Sequence, residues 1–239
     1  MRTKPSILLL HGALGAASQF DKLEGLLSSE FDVHRYDFTG HGGKAFAEHP
    51  LTMPILAEHL LDHISEFHLI GTSVFGYSMG GYAALWLEKN KTGCFSSIMT
   101  LGTKFNWNTE LAEKESKLIH PDILESKSPH FIDTLKKRHS PNDWKKISTE
   151  TSHLLLHLGK HPLLHSDFEN IDCPVRLAVG DRDMMVDLEE TANVYSSLPN
   201  ASLLVMPETP HLLEKVNHNY LAEEIIRFNS KYGVQSKGI

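Results

Sequence analysis

The 239-residue chain lacks several features that mark other classes of protein. It has only two cysteines, Cys94 and Cys173, which are too few for a disulfide framework and are not spaced as metal ligands. We expect both to be buried free thiols. An excess of positive charge is also missing: the net charge of −7 argues against a nucleic-acid partner. The short basic run from Lys136 to Arg138 is assigned to a solvated helix face.

Long hydrophobic runs are absent as well. The apolar stretch near the start follows Pro5 and ends at His11, which predicts neither a signal peptide nor a membrane span. We therefore expect no membrane partner and a soluble, cytoplasmic protein. With 41% hydrophobic residues, the chain is long enough to bury one substantial core.

What the chain does contain is a serine between two glycines, in the segment Gly76 to Gly80. The preceding run from Thr72 to Phe75 predicts a buried strand, and the stretch from Tyr82 to Leu87 predicts a helix. A serine on a sharp strand-to-helix turn has a strained backbone and an exposed Oγ, and a side chain at either glycine would collide with the neighbouring strand or helix. The pattern predicts a nucleophile elbow at Ser78.

A serine hydroxyl needs a histidine base, and the base needs a carboxylate that fixes its tautomer. The run from Val175 to Val179 predicts a strand that leads into an acidic loop, where we expect the carboxylate. A further apolar run, Ser202 to Met206, leads into a loop that contains His211, the candidate base. A final helix is predicted from Leu212 to Phe228. The oxyanion that forms on attack needs two donors, and the first is the backbone amide of Met79.

These motifs, in this order along nearly the whole chain, resemble those of the α/β-hydrolase superfamily. The family acid usually lies third after the strand-end glycine, here Gly180, and this implies that Asp183 is the acid, with Asp181 and Asp187 as alternates. The triad implied by the resemblance is Ser78, Asp183 and His211.

The loop after the strand Ser6 to Leu10 begins with His-Gly and resembles the oxyanion loop of the same family. The resemblance assigns the second oxyanion donor to the amide of Ala13, with Leu14 next in line. The segment from Asp37 to Gly42 resembles a turn that is structural in the family, which implies that His41 is not a second base.

Alternating strand and helix patterns predict an α/β fold with a mostly parallel sheet of about six strands and helices on both faces. From residue 103 to 170 the alternation stops, and the stretch has the pattern of helices broken by prolines. In the family, an insertion here forms a helical cap over the active site. The predicted core therefore comprises residues 1–102 and 171–239, and the predicted cap comprises residues 103–170.

An apolar pocket under such a cap would exclude water and select acyl groups by shape. Five side chains are candidates for substrate binding: Leu14, Tyr77, Phe105, Trp107 and Trp144. The alternative for the aromatic residues in the insertion is that they anchor the cap to the body.

The chain has 16 histidines, and four of them recur every four residues: His153, His157, His161 and His165. On one continuous helix they would share a face, as in zinc-binding helices. However, Gly159 and Pro162 are expected to interrupt such a helix, and no carboxylate lies among the four. We predict no metal and no cofactor, and assign the four histidines to a polar or pocket-lining face.

The function predicted from these residues is a cofactor-independent serine hydrolase that cleaves a small carboxylic ester or thioester through an acyl-enzyme. A carbon–carbon bond hydrolase, a perhydrolase and a lyase resembling the menaquinone-pathway enzyme use the same triad and stay as alternatives. The lyase ranks below an esterase, because its substrate carries several carboxylates and Arg138 is the only arginine in the predicted cap. A non-catalytic small-ligand receptor on the same fold is the alternative from another class.

Overall fold

The computed structural model describes residues 4–232, which form one six-stranded sheet. The strand order is β2-β1-β3-β4-β5-β6, and all five neighbouring pairs are parallel. The sheet therefore has the predicted number of strands. Their bounds are β1 (Ser6–Leu10), β2 (Asp32–Tyr36), β3 (Thr72–Tyr77), β4 (Phe95–Leu101), β5 (Val175–Gly180) and β6 (Ala201–Met206).

Ten α-helices accompany the strands within residues 4–232, together with short 3-10 turns at Ala17–Phe20 and Leu213–Lys215. They are α1 (Asp21–Leu27), α2 (Met53–Glu66), α3 (Met79–Asn90), α4 (Thr109–Leu118), α5 (Pro121–Lys127), α6 (Pro129–His139), α7 (Trp144–Lys160), α8 (His165–Phe168), α9 (Leu188–Ser197) and α10 (His218–Tyr232). Among these residues, no helix combines the length and the apolar composition required to cross a membrane.

Successive side chains of the central strands pack alternately into two separate hydrophobic cores, one on each face of the sheet. On β1, Leu8 and Leu10 pack on one face with residues of α2 and α3, whereas Ile7 and Leu9 pack on the other face with residues of α1 and α10. All four are fully buried, and burying one such side chain stabilises the fold by about 1.5–3 kcal/mol. Helices on both faces of a parallel sheet are what the continuous apolar strands predict.

The direction in which strands are added reverses between β1 and β3. The chain leaves β1 to form β2 on one side, and every later strand is added on the other side. Leu10 at the end of β1 lies in register with Gly76 near the end of β3. The loops after β1 and β3 therefore meet at the carboxyl edge of the sheet, where open α/β sheets form their ligand crevice.

Five helices, α4 to α8, lie between β4 and β5 in the stretch predicted to form a cap. The prediction that Gly159 interrupts a helix is wrong, because α7 continues to Lys160. A Cβ at Gly159 would collide with the Ala112 side chain and lie 2.8 Å from the Asn108 carbonyl of α4. The glycine therefore permits α4 and α7 to approach closely. The assignment of residues 103–170 to a cap stays a prediction, and residues 1–3 and 233–239 of the predicted core lie outside the described residues.

Three smaller expectations need correction. The final helix begins at His218 rather than Leu212, because Val216 adopts an extended backbone between the second 3-10 turn and α10. Cys173 is partly exposed in the segment before β5, and only Cys94 is a buried thiol. Arg138 does not lie on a solvated face: its side chain is 12% exposed and is held by hydrogen bonds.

Candidate active site

Ser78 lies in the turn between β3 and α3 with φ 52° and ψ −116°. A non-glycine residue in such a conformation costs on the order of 1–3 kcal/mol and persists only where its surroundings hold it. Here the Ser78 amide donates to the Leu101 carbonyl at 2.9 Å, and the Ser78 carbonyl accepts from Thr103 Oγ1 at 2.9 Å. The strained serine is thus tied to the end of β4 on both sides.

The two glycines that flank the serine have no room for a side chain. A Cβ at Gly76 would collide with the backbone of Gly80 and Gly81 at the start of α3, and a Cβ at Gly80 would collide with the Leu10 carbonyl at the end of β1. These are the collisions expected from the sequence. They explain why glycine occupies both positions in the turn from strand to helix that carries Ser78.

Asp183 and His211 come together from the loops after β5 and β6. His211 Nδ1 donates to Asp183 Oδ2 at 2.7 Å, while Asp183 Oδ1 accepts from the amides of Met185 and Val186 at 2.8 and 2.9 Å. Because Nδ1 carries the proton, Nε2 of the neutral ring keeps the lone pair that can accept a proton. The carboxylate therefore fixes the tautomer that a general base needs.

The charge on Asp183 is stabilised although the side chain is almost fully buried. Burial raises the pKa of a carboxyl group, but the hydrogen bond and charge of His211 and the two backbone amides together lower the pKa of Asp183 below its ordinary value. Asp183 is consequently ionised at neutral pH.

The two alternate acids have other partners. Asp181 Oδ1 accepts from the Thr209 amide at 3.1 Å and so joins the loops after β5 and β6. Asp187 caps α9 through a hydrogen bond from the Glu190 amide at 2.7 Å. Of the three candidates, Asp183 is the one that contacts His211.

Two residues near this pair were not assigned to it by sequence reasoning. Gly102 follows β4 with φ 61°, and a Cβ there would lie 3.1 Å from Asp183 Oδ2 and 3.2 Å from His211 Nδ1. The sequence signal that could have indicated this closeness is a glycine directly after a strand. Tyr77, a candidate for substrate binding, donates its hydroxyl to the His211 carbonyl at 2.8 Å and packs in the core beside α1 and α10, and substrate binding by Tyr77 stays a prediction.

The loop after β1 passes directly beside the elbow, since a Cβ at Gly12 would lie 3.1 Å from Ser78 Cβ. Within residues 4–232, neither the Ala13 amide nor the Met79 amide donates to a protein acceptor. The Met79 amide also lies at the N-terminus of α3, where the helix dipole favours negative charge. Two uncommitted donors on these two loops suit an oxyanion beside Ser78.

The other candidates for substrate binding pack mainly in hydrophobic clusters. Leu14 and Trp144 are buried in one cluster with residues of α5, α6 and α7. Phe105 lies in the larger core and meets Phe168 edge-to-face at 5.7 Å, and Trp107 is partly buried against the same core, with Nε1 donating to the Lys104 carbonyl. These contacts favour an anchoring role, and substrate binding by these residues stays a prediction.

The four histidines at intervals of four residues do not share one environment. His153 approaches Glu150 at 3.7 Å, the rings of His157 and His161 lie 4.8 Å apart, and His165 Nδ1 hydrogen-bonds Ser197 Oγ at 2.8 Å. In the described part of the chain, no three His, Cys, Asp or Glu side chains converge as metal ligands.

Comparison with known proteins adds a family and a fold. The model of the alpha/beta hydrolase family matches residues 7–223. A pimeloyl-[acyl-carrier protein] methyl ester esterase of Chromobacterium violaceum is 23% identical over 226 residues, which cover 87% of each protein. Two solved structures resemble this one. A thermophilic esterase from Thermogutta terrifontis has a TM-score of 0.79 at 18% identity, with 97% of this chain and 92% of that chain covered. MenH from S. aureus has a TM-score of 0.80 at 16% identity, with 97% and 96% covered.

Proposed function

The chain belongs to the alpha/beta hydrolase family, and from that premise we propose that it is a cofactor-independent serine hydrolase that cleaves a small carboxylic ester or thioester. The observation that carries the proposal is the 2.7 Å contact between His211 Nδ1 and Asp183 Oδ2, on the sheet edge that also carries Ser78 in its strained turn. An acid, an oriented base and a raised hydroxyl are the parts that acyl transfer to serine requires.

In the proposed mechanism, Ser78 Oγ attacks the acyl carbon while His211 Nε2 takes the hydroxyl proton. The Asp183 carboxylate stabilises the imidazolium, and the amides of Met79 and Ala13 donate to the oxyanion of the tetrahedral intermediate. The intermediate collapses as His211 returns the proton to the leaving alcohol or thiol. A water molecule, deprotonated by His211, then hydrolyses the acyl-enzyme and frees Ser78.

An ester or thioester fits the charges better than a substrate with several carboxylates. Arg138 donates to the Leu14 carbonyl at 2.9 Å through Nη1 and to Glu214 Oε1 at 2.8 Å through Nη2, so its guanidinium is already engaged. It is the only arginine in residues 103–170. This disfavours the lyase alternative, which needs paired guanidinium groups. The relative named as a methyl ester esterase supports ester cleavage.

The test is the Ser78→Ala variant, assayed with a series of p-nitrophenyl esters of increasing acyl length and with matching thioesters. We expect kcat to fall by about 10⁶, because a triad without its nucleophile keeps only a small residual rate. The matched control is Ser73→Ala, which removes a buried serine on β3 whose hydroxyl donates to the Ser6 carbonyl. This control should retain turnover.

Undiminished turnover in Ser78→Ala would contradict the proposal, as would a fluorophosphonate probe that fails to label Ser78 in the wild-type protein. Tight binding of a small ligand without multiple turnover would favour the receptor alternative. A sharp optimum in acyl length would report the depth of the pocket. The cytoplasmic location expected from the sequence stays a prediction.

A further inference from the structure

The loop after β1 contains a second strained residue, Leu14, with φ 55°. Leu14 lies in a tight turn that is closed by the Gly15 amide donating to the Gly12 carbonyl at 3.0 Å, and Ala13 is part of the same turn. A left-handed backbone at a leucine costs about 1–2 kcal/mol and needs support from its surroundings. Whatever holds Leu14 therefore also holds the Ala13 amide, the second oxyanion donor of the proposed function.

The support comes from α6, which is remote in sequence. The Leu14 carbonyl accepts two hydrogen bonds from that helix, one from Arg138 Nη1 at 2.9 Å and one from His139 Nε2 at 3.1 Å. The Leu14 side chain is buried with Leu135 of α6 and with Trp144 of α7. The turn is thus bound to the inserted helices by its carbonyl and by its side chain.

His139 is fully buried, and both of its ring nitrogens are used. The Gly42 amide donates to His139 Nδ1 at 3.0 Å, so Nδ1 is the unprotonated nitrogen. Nε2 consequently carries the proton and donates to the Leu14 carbonyl. One neutral ring joins the loop after β2 to the loop after β1.

The loop after β2, which bonds His139 Nδ1 through the Gly42 amide, is itself held in place. Asn142 Nδ2 donates to the Gly40 carbonyl at 3.0 Å and to the Lys44 carbonyl at 2.7 Å, which secures the loop on either side of Gly42. A displacement of His139 would therefore be transmitted to Leu14 rather than absorbed by the loop after β2.

Burial keeps the His139 ring neutral, and the charged and titratable groups that face it act in the same direction. The His41 ring lies 5.6 Å away, the His11 ring lies a further 5.1 Å beyond it, and the Arg138 guanidinium shares the Leu14 carbonyl. A second proton on Nδ1 would point at the Gly42 N–H and break that contact. Burial, and then the neighbouring His41, lower the pKa of His139 to about 4.

We propose that His139 is a positioning residue that holds the Gly12–Gly15 turn, and with it the Ala13 amide, in the geometry that stabilises the oxyanion. This inference rests on the proposed serine hydrolase function. His139 acts through Leu14 and does not touch the reacting atoms. The predicted cap would then contribute to the chemical step as well as to the selection of substrate.

Two substitutions separate this role from simple packing. His139→Phe keeps a ring but loses both hydrogen bonds, and we expect kcat to fall about 10-fold to 100-fold with KM nearly unchanged, because the turn is needed for the transition state. His139→Gln retains one acceptor and one donor and should restore kcat to within about threefold of wild type. The control is Ile225→Ala in α10, a fully buried residue whose cluster does not include Leu14, and it should lower the unfolding midpoint while leaving kcat within about threefold.

Equal kcat in His139→Phe and wild type would overturn the inference, as would an equal loss of kcat in His139→Phe and Ile225→Ala at matched stability. A measurement on the wild-type protein covers the case in which His139→Phe does not fold: ¹⁵N NMR of the His139 ring. A neutral ring protonated on Nε2 between pH 5 and 8 supports the inference, and a ring charged or protonated on Nδ1 overturns it. If the wild-type protein shows neither ester turnover nor fluorophosphonate labelling, the proposed function is wrong. The tautomer of the His139 ring then still shows whether His139 donates to the Leu14 carbonyl.

Discussion

At the carboxyl ends of β5 and β6, His211 hydrogen-bonds a carboxylate through one ring nitrogen, whereas beside the ends of β1 and β2, His139 bonds backbone groups through both. His211 lies 2.7 Å from Asp183, and its Nε2 has no protein partner within residues 4–232. His139 lies between the Gly42 amide and the Leu14 carbonyl, with no nitrogen left over.

The difference shows how the partners of an imidazole decide what it can do. A carboxylate stabilises the imidazolium that forms when a base takes a proton, so His211 suits proton transfer. Full burial disfavours the imidazolium and lowers the pKa of His41 and of His139 to about 4, and the Gly42 amide also occupies the nitrogen of His139 that would take the second proton. The buried ring then serves as a neutral connection between loops.

Replacing the base tests the first half of this comparison and should have the largest effect. In His211→Ala, we expect kcat for a p-nitrophenyl ester to fall by about 10⁵ to 10⁶, because the variant lacks the proposed base for the Ser78 proton. The matched variant is His41→Phe, which removes a buried ring whose Nδ1 bonds the Thr39 carbonyl. It should lower the free energy of unfolding by about 1–3 kcal/mol and leave kcat within about tenfold. A larger loss of kcat in His41→Phe than in His211→Ala would indicate that His41, and not His211, is the base.

Replacing the acid tests whether the carboxylate is what distinguishes His211. In Asp183→Asn, kcat should fall by about 10⁴, since an amide cannot stabilise the imidazolium and favours the wrong tautomer. Asp181→Asn alters the neighbouring acid that bonds the Thr209 amide, and it should retain kcat within about threefold. Steady-state kinetics at one pH distinguish them. A large loss in Asp181→Asn with Asp183→Asn nearly active would move the acid to Asp181.

The loops at the strand ends can be predicted from the sequence because apolar runs and glycines next to each other in the chain mark them. The bounds of β3 follow from an apolar run that meets the glycines of the elbow, and the turn at Ser78 needs those glycines for steric reasons that any chain shares. Ser78 and His211 lie just after strands that a parallel sheet aligns at one edge. Family resemblance favours Asp183 over Asp181 and Asp187, and the 2.7 Å distance between Asp183 Oδ2 and His211 Nδ1 supports this assignment.

The contacts of the inserted helices could not be found in this way. A helical pattern gives the residues that share a face but not the loop that the face meets, so it predicts a solvated position for Arg138 and no role for His139. Gly159 was interpreted from its weak helix propensity, whereas close packing of α4 against α7 determines it. Such contacts depend on how distant segments pack, which no periodicity of one segment specifies.

The smallest of the expected effects is the contribution of the buried histidines to the pH dependence of the free energy of unfolding. The folded-state pKa of His139 and of His41 is lowered to about 4 from 6.5, and that of His11 lies well below 6.5 too. The unfolded chain therefore binds more protons between about pH 6.5 and pH 4. The free energy of unfolding should fall as the pH falls through this window, by up to about 1.4 kcal/mol per pH unit for each ring.

Urea unfolding of wild type and of His139→Gln across this range measures the share of one ring. Glutamine does not titrate, so the slope of the free energy of unfolding against pH should decrease by up to about 1.4 kcal/mol per pH unit. Asp37 opposes the slope in both proteins, because burial raises its pKa, and Asp183 has a lowered pKa that acts only below its ordinary range. These contributions cancel in the difference between the two proteins, which reports His139 together with its smaller effect on the pKa of His11. An unchanged slope would mean that the ring is solvated or charged in the native state, and His139 would then no longer contrast with His211.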